Sequence, residues 1–248
     1  MLEDLRVLRG DEGLRSLLRL DEVPSSDDAG DWLRGMGVKE GGGLAAIERV
    51  NRSVFRRLLC NDERTGYTLD IDAPQILAEK RHACYTYTGD KGYMPLPRHT
   101  AETGLVIGYE FREGDAAPAA GNLELQQVCE CDMPKGEEIT AIRADSAAYQ
   151  AAIFNYCEEA NKVFAIRADQ DAAVKTAIAA IPEGEWKMFR DGEIVETVQC
   201  MNKTNKASRL IVVRRAREQD WFEDHAPYRY HAIASNRANE DVAATMEW

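Results

Sequence analysis

The stretch Thr68-Leu69-Asp70-Ile71-Asp72-Ala73 decides the predicted fold, because it is typical of a short buried strand that carries two acidic residues. Side chains alternate between the two faces of a strand, so Asp70 and Asp72 point to one face. Leu69 and Ile71 then point to the opposite face, into a core. Buried carboxylates are costly unless a cation meets them, and divalent metal ions are the usual partner. The stretch therefore indicates either a metal-binding strand or a strand end whose acids face water.

A second apolar run, residues 138–146, also carries an acid at its end, Asp145. A pattern of helical spacing follows at once, with Ile153 and Cys157 four residues apart. Asp145 is thus expected at the carboxyl end of a strand, where open α/β sheets have their functional sites. Two acids on neighbouring strand ends favour a metal site. Taken alone, Asp145 also suits the N-terminus of a helix, where the helix dipole favours an acid.

Composition and charge pattern limit the class of protein. The chain of 248 residues suffices for one large domain, or for a domain with an appended piece. It has no run of about 18 apolar residues, and its charged N-terminus does not resemble a signal peptide, so no membrane span is expected. Six scattered cysteines, of which only Cys129 and Cys131 are close, indicate reduced thiols in a cytoplasmic protein.

The charge is unevenly distributed along the chain. A net charge of −12 counts against nucleic-acid binding by the molecule as a whole. Between Lys187 and Arg217, however, eight basic residues stand against three acidic ones. Arg214, Arg215 and Arg217 end a strand-like run there and are the candidate contacts to DNA phosphates. The alternative is a solvated edge strand that is charged to prevent aggregation.

The order of predicted elements divides the chain into four segments. Residues 1–62 are predicted to be helical, and two helices around a glycine turn could form either a DNA-reading unit or a helical bundle. Residues 63–185 are predicted to hold three antiparallel strands, followed by alternating helices and strands. Residues 186–236 are strand-rich, and residues 237–248 begin another helix. This order predicts an α/β protein with a mixed sheet.

Three strands are predicted between the opening strand and the first helix of the second segment, and they are Tyr85–Thr88, Gly92–Leu96 and Leu105–Phe111. The first two are joined through a glycine turn and so are expected to form a hairpin.

Several long motifs together resemble the DDE transposases of bacterial insertion sequences, in particular the group known as transposase DDE domain, group 1. The resemblance extends over most of the chain. The matching segments are Tyr67–Ala73, Tyr85–Tyr93, Glu110–Gly114, Gly121–Glu124, Arg143–Ser146, Ile153–Cys157 and Ile233–Arg237.

The resemblance implies a ribonuclease-H-like fold, in which the first catalytic Asp lies on the first strand and the second lies just after the fourth. These positions correspond to Asp72 and Asp145, which are expected to be catalytic and to bind Mg²⁺ or Mn²⁺, with Asp70 as a further candidate ligand. The strand-rich residues 186–236 resemble the insertion that such transposases carry. The implied activity is DNA cleavage and strand transfer by two-metal phosphoryl transfer. The expected partner is DNA, at the terminal inverted repeats and the target, and a homodimer is a further expectation.

Two departures from the family pattern affect this expectation. Pro74 stands where the family has a threonine, so a hydroxyl group is missing. The family's third acid, a Glu on a late helix, has no counterpart before Trp248, because Glu240 and Glu247 do not match its motif. We therefore expect a transposase fragment with weak metal binding and little strand transfer of its own.

Two other interpretations remain open from the sequence. Asp70 and Asp72 also suit a phosphatase of the haloacid-dehalogenase type, with Asp70 as nucleophile, Asp72 as general acid and one Mg²⁺. That enzyme would need a helical, doubly wound continuation, whereas hairpin strands are predicted here. A non-catalytic DNA-binding remnant of a transposase is the third interpretation.

Overall fold

The computed structural model describes residues 2, 4–37, 42–217 and 227–248. The chain divides into two compact units, Met1–Val54 and Phe55–Trp248. Part of the predicted strand-rich insertion, residues 218–226, lies outside the described residues. Within the described ranges, no helix combines the length and the apolar character needed to cross a bilayer. All six cysteines are unpaired thiols.

The first unit is helical, as its sequence predicts. Its helices are α1 (Asp4–Gly10), α2 (Glu12–Leu17), α3 (Ser26–Met36) and the greater part of α4 (Gly43–Leu59). Helix α3 begins at a capping box, in which the Ser25 hydroxyl accepts a hydrogen bond from the Asp28 amide at 3.0 Å. The Asp28 carboxylate accepts one in return from the Ser25 amide at 3.4 Å. This reciprocal pairing satisfies amides that the first helical turn leaves free.

The second unit is built on a nine-stranded mixed sheet. The strands of the chain, in sequence order, are β1 (Gly66–Ile71), β2 (Ile76–Leu77), β3 (Cys84–Tyr85), β4 (Lys91–Tyr93), β5 (Leu96–Thr100), β6 (Val106–Glu110), β7 (Glu138–Ala144), β8 (Val163–Arg167), β9 (Lys187–Phe189), β10 (Gly192–Gln199), β11 (Ser208–Ala216) and β12 (Tyr228–Ser235). The order across the sheet is β6-β5-β1-β7-β8-β12-β11-β10-β9. Strand β1 runs parallel to β7, and β7 runs parallel to β8. All other neighbours in this sheet are antiparallel.

The predicted mixed α/β architecture is confirmed, but two strands were assigned wrongly. Of the predicted strand Tyr85–Thr88, only Tyr85 lies in a strand, at the end of β3. The segment Gly92–Leu96 is not one strand, because β4 ends at Tyr93 and β5 begins at Leu96. Strand β4 pairs with β2 and β3 in a separate three-stranded sheet, whereas β5 pairs with β1 in the large sheet. The sequence between them, Met94-Pro95, includes a proline without an N–H to continue a ladder, which accounts for the break.

The strand-rich residues after Trp186 extend the large sheet and do not form a separate layer. Strand β12 pairs antiparallel with β8, with Ile233 opposite Arg167. Strands β11, β10 and β9 then continue the sheet outward by hairpin pairing. The run Leu210–Val213 is fully buried, as is typical of a strand covered on both faces.

Four further helices cover the sheet, and they are α5 (Asn122–Asp132), α6 (Ala151–Glu159), α7 (Ala172–Ala179) and α8 (Val242–Glu247). Ile166 and its strand neighbours pack in one core with Phe154 of α6. Ala165, one residue earlier on the same strand, packs in another core with Met246 of α8. Consecutive residues of a strand point to opposite faces, so these cores lie on opposite sides of the sheet.

Candidate active site

The two acids predicted as metal ligands lie side by side at one edge of the sheet. Strands β1 and β7 are parallel, and their last paired residues are Ile71 and Ala144. Asp72 and Asp145 are the next residue on each chain segment, and neighbouring strands lie about 4.8 Å apart. The two carboxylates are close enough for the charge of Asp72 to raise the pKa of Asp145. The juxtaposition that the sequence predicts is therefore present.

Local backbone bonds fix both acids at these strand ends. The Asp72 carboxylate accepts a hydrogen bond from the Ala73 amide at 2.9 Å, and Pro74 follows, which cannot donate to a ladder. Asp145 has an extended backbone and precedes a single turn of 3-10 helix, Ser146–Ala148. Its carboxylate accepts a hydrogen bond from the Ala147 amide at 3.0 Å. Asp145 thus both follows the end of a strand and is the N-cap of a short helical turn, so it occupies both of the positions that the sequence predicts.

The electrostatic environment of Asp145 disfavours its charged form. Burial is the largest cause and raises the pKa of the half-buried Asp145 carboxyl above its ordinary value. The hydrogen bond from Ala147 lowers this pKa, and the neighbouring charge of Asp72 raises it again. The guanidinium groups of Arg167 and Arg98 lower it to a smaller extent. A cation bound beside Asp145 would relieve both the desolvation and the repulsion.

Arg167 completes a row of charged residues that the sequence analysis did not identify. It is the last residue of β8, and the preceding residue, Ile166, pairs with Ala144 of β7. Arg167 is therefore level with Asp145, and its side chain is exposed. The available signal was the apolar run Val163–Ile166, which ends on a charged residue in the way that the runs before Asp72 and Asp145 do.

Asp70, the further candidate ligand, is already held by an arginine and a histidine on the neighbouring strands. Its two carboxylate oxygens accept hydrogen bonds from Nε and Nη2 of Arg143, each at 2.6 Å. Nε2 of His99 lies 3.2 Å from Oδ2 of Asp70. Both partners stand directly opposite Asp70 in the strand register. Asp70 is therefore a cross-strand ion-pair residue, whereas Asp72 is exposed at the sheet edge.

The ligand atoms at these strand ends are of the chemical type that binds hard divalent cations. Asp72 and Asp145 supply carboxylate oxygens, which are the ligands that Mg²⁺ and Mn²⁺ prefer. In the part of the chain that the structure describes, no group of three or more His, Cys, Asp or Glu side chains is arranged to hold a metal ion. These two acids would therefore form part of a metal's shell, with water or substrate oxygens as the other ligands.

The three arginines predicted to contact DNA differ in their surroundings. The Arg214 guanidinium lies between the rings of Trp186 and Tyr228, at 4.2 and 4.4 Å from the ring centres. It also donates hydrogen bonds to Glu193 at 2.7 Å and to Glu183 at 2.8 Å. Its side chain is only 5% exposed, so its charge is compensated inside the fold.

The other two arginines lie at the surface. Arg215 donates a hydrogen bond to Asp191 at 2.8 Å, and both side chains are about half or more exposed. Arg217 lines a cavity of about 460 Å³ between α7 and the hairpin of β11 and β12. Among the described residues, the lining includes three cations and two tyrosines but no acid. The lining residues are Gln170, Lys175, Ile178, Ala179, Arg217, Tyr228, Arg229 and Tyr230. We call this cavity the basic groove.

The basic groove lies at the same edge of the sheet as the two acids. Strand β12 is antiparallel to β8, and the last pair of that ladder at this edge joins Arg167 and Ile233. One residue further, the Ala168 amide donates a hydrogen bond to the Ala232 carbonyl at 2.8 Å. Tyr230, a groove residue, lies two residues beyond Ala232 in the same direction, past the carboxyl end of β8 at Arg167. The groove therefore lies toward the carboxyl ends of the parallel strands, and the exposed acids Asp169 and Asp171 lie between Arg167 and α7 in the chain.

Comparison of the sequence with known proteins gave no match to any family model and none to any curated protein.

Proposed function

We propose that this protein acts on DNA by metal-dependent phosphoryl transfer, as a transposase of the DDE type with a ribonuclease-H-like core. The observation that carries the proposal is the pairing of Asp72 and Asp145 at the ends of adjacent parallel strands. In chain order the large sheet begins with β1, β5, β6, β7 and β8. Asp72 thus follows the first strand and Asp145 follows the fourth, which is the arrangement that the resemblance implies. The antiparallel β6-β5-β1 portion and the parallel β1-β7-β8 portion support the same assignment.

The side chains at this edge have complementary parts in such a reaction. Asp72 and Asp145 would hold Mg²⁺ or Mn²⁺. When bound, such ions activate the attacking water or hydroxyl and stabilise charge on the leaving oxygen. Arg167 lies beside the acids with an exposed guanidinium, a group that suits the charged oxygens of a phosphodiester. Partial burial of Asp145 strengthens the electrostatic interactions at the edge.

DNA contacts are assigned to the basic groove rather than to Arg214. Arg214 is enclosed by two rings and two carboxylates, so it has little charge to offer a phosphate. Lys175, Arg217 and Arg229 are exposed, and no acid lines their groove among the residues that the structure describes. Tyrosine rings beside cations are a common surface for a nucleic-acid strand.

The metal site is tested by titrating the protein with Mn²⁺ and following the signal by electron paramagnetic resonance. Asp72→Asn and Asp145→Asn should each weaken Mn²⁺ binding at least tenfold and abolish metal-dependent nicking of element-end DNA. Glu138→Gln is the matched control, because Glu138 is an exposed acid at the opposite end of β7. Mn²⁺ affinity that is equal in all four proteins would overturn the proposal.

The DNA surface is tested separately by the salt dependence of DNA binding. Changing Lys175, Arg217 and Arg229 together to glutamine should reduce the slope of log K against log salt by about 0.9 for each phosphate that the variant no longer neutralises. Arg215→Gln is the control, since Arg215 is a surface arginine paired with Asp191 outside the groove lining. If the triple variant has the same slope as the wild type, DNA does not bind in the groove.

A second candidate function is DNA binding without cleavage. It is favoured by the acid count at the site, because only two acids meet there among the residues that the structure describes. The two experiments separate the candidates: groove-dependent DNA binding without metal-dependent nicking identifies the non-catalytic function. The phosphatase interpretation is not favoured, since both oxygens of its nucleophile Asp70 are engaged by Arg143.

A further inference from the structure

A buried chain of hydrogen bonds connects β5 and α5 to the turn that carries Asp145. Arg98 of β5 has no exposed surface, and its Nη2 donates to Oδ1 of Asn122 at 2.5 Å. Asn122, the first residue of α5, is 1% exposed, and its Nδ2 donates to the Ala147 carbonyl at 3.1 Å. The Ala147 amide in turn donates to Asp145 at 3.0 Å. Arg98 and Asn122 are therefore connected to the Asp145 side chain through the backbone of Ala147.

The orientation of the Asn122 amide is fixed by chemistry. A guanidinium has only donors, so the Asn122 oxygen must face Arg98. The Asn122 nitrogen then faces two carbonyls, those of Ala147 and Pro118, each at 3.1 Å. Gly121, just before it, has a φ of +73°, a left-handed conformation that glycine adopts without strain and that starts α5 with Asn122 directed inward.

Stability alone does not account for an arginine at position 98. Removing a guanidinium from water is costly, and an apolar side chain of similar volume would fill the same space at a lower cost. The Nε atom of Arg98 has no hydrogen-bond partner among the described residues, which adds to that cost. Its neighbour Arg112 is also buried, but donates only to the backbone carbonyls of Met94, Ala117 and Ala120. Only Arg98 is connected to the turn of Asp145.

We propose that Arg98 and Asn122 are positioning residues that hold the Ser146–Ala148 turn so that Asp145 faces Asp72. The inference rests on the proposed function, because only that function assigns metal binding to the turn that carries Asp145. Asn122 links α5 to the Ala147 carbonyl, which also accepts a hydrogen bond from Nε2 of Gln150 at 2.9 Å. Arg98 fixes the amide of Asn122 and adds a positive charge behind the acid pair. Outer contacts of this kind typically change metal affinity by about 10- to 100-fold.

Three variants separate the parts of this chain. Asn122→Ala removes the link. In Asn122→Asp the carboxylate can still accept a hydrogen bond from Arg98, but it cannot donate one to the Ala147 carbonyl. Arg98→Met removes the charge and keeps the length of the side chain. Arg112→Met is the matched control, a buried arginine of the same region without a bond to the turn. Circular dichroism establishes that each variant is folded, and if Arg98→Met does not fold, the two Asn122 variants carry the test.

Two measurements are made on each protein. Hydrogen exchange of the 145–150 segment, followed without metal, reports whether the turn is held, and Mn²⁺ titration reports whether the acids are placed for binding. We expect the three variants to exchange faster at this segment and to bind Mn²⁺ about 10- to 100-fold more weakly, while Arg112→Met matches the wild type in both. Unchanged exchange in both Asn122 variants overturns the inference. Absence of Mn²⁺ binding by the wild type overturns the proposed function, and the exchange data still decide the positioning role.

Discussion

Replacing Asp145 with asparagine should stabilise the protein at neutral pH although it removes a proposed catalytic group. The asparagine retains Oδ1, so the hydrogen bond from the Ala147 amide at 3.0 Å can persist. What disappears is the charge, which the fold disfavours through burial and through the neighbouring carboxylate of Asp72. Active-site residues commonly reduce stability in this way, since their arrangement serves the ligand and not the empty fold.

The size of the effect follows from the strand geometry. Neighbouring strands lie about 4.8 Å apart, and two unit charges at that distance repel by about 1 kcal/mol in water and by about 3 kcal/mol at an effective dielectric constant of about 20. Asp72 is exposed, so the lower figure applies. Loss of the attraction to Arg98 and Arg167 reduces the gain further, yet the raised pKa of Asp145 shows that the unfavourable effects dominate. We expect a gain of about 1 kcal/mol, or an increase in Tm of about 2 to 4 °C for a chain of this length.

The gain should depend on pH in a defined direction. The pKa of Asp145 is higher in the folded protein than its ordinary value of 3.8. Below that ordinary value the carboxyl is protonated in both the folded and the unfolded state, and asparagine offers no advantage. As the pH rises through the folded pKa, the wild type loses stability that Asp145→Asn keeps. The two unfolding curves should therefore converge as the pH falls toward 3.8.

Calorimetric unfolding of both proteins at several pH values, with and without Mg²⁺, tests this reasoning. Mg²⁺ at about ten times its Kd should stabilise the wild type by about 1.4 kcal/mol and Asp145→Asn by much less. Glu138→Gln controls for the removal of any exposed acid from a chain of net charge −12. A lower Tm for Asp145→Asn at pH 7, or an equal gain in Glu138→Gln, would refute the argument.

Three further predictions concern residues away from the acid pair. Burial, followed by the charges of two arginines, lowers the pKa of His231. The protein should therefore lose stability as the pH falls below about 6.5. His231→Gln should reduce that loss, as measured by urea unfolding at about pH 5 and 7. Arg214→Met should lower the free energy of unfolding by at least about 1 to 2 kcal/mol, from the two ring contacts alone. Arg215→Met, which breaks an exposed ion pair, should cost less than about 1 kcal/mol, and equal losses would contradict the enclosed position of Arg214. Leu69→Ala leaves a cavity at a fully buried site and should lower the free energy of unfolding, measured by chemical denaturation, by about 2 to 5 kcal/mol. A decrease below about 1 kcal/mol would contradict a packed core at this position.

Local sequence patterns determined the strands that carry the acids and the order of the elements around them. Alternation in residues 68–73 predicts that Leu69 and Ile71 enter the core, and both are buried. The apolar run before Asp145, followed by helical spacing, predicts that Asp145 lies at the carboxyl end of a strand, next to the strand end that carries Asp72. These features follow from the sequence because strand and helix periodicity are local properties.

The partners of charged side chains depended on the tertiary structure. Asp70 and Asp72 are both aspartates and lie two positions apart, yet only Asp70 is opposite Arg143 and His99 in the strand register. Arg214 and Arg217 are equally basic in sequence, but the fold encloses one between aromatic rings and leaves the other at a groove. The sequence by itself determined the strands beside Asp72 and Asp145, but not the bounds of β3, β4 and β5. Only the tertiary structure decided which of the charges are paired, because pairing depends on strands and helices distant in the chain that meet in the folded sheet.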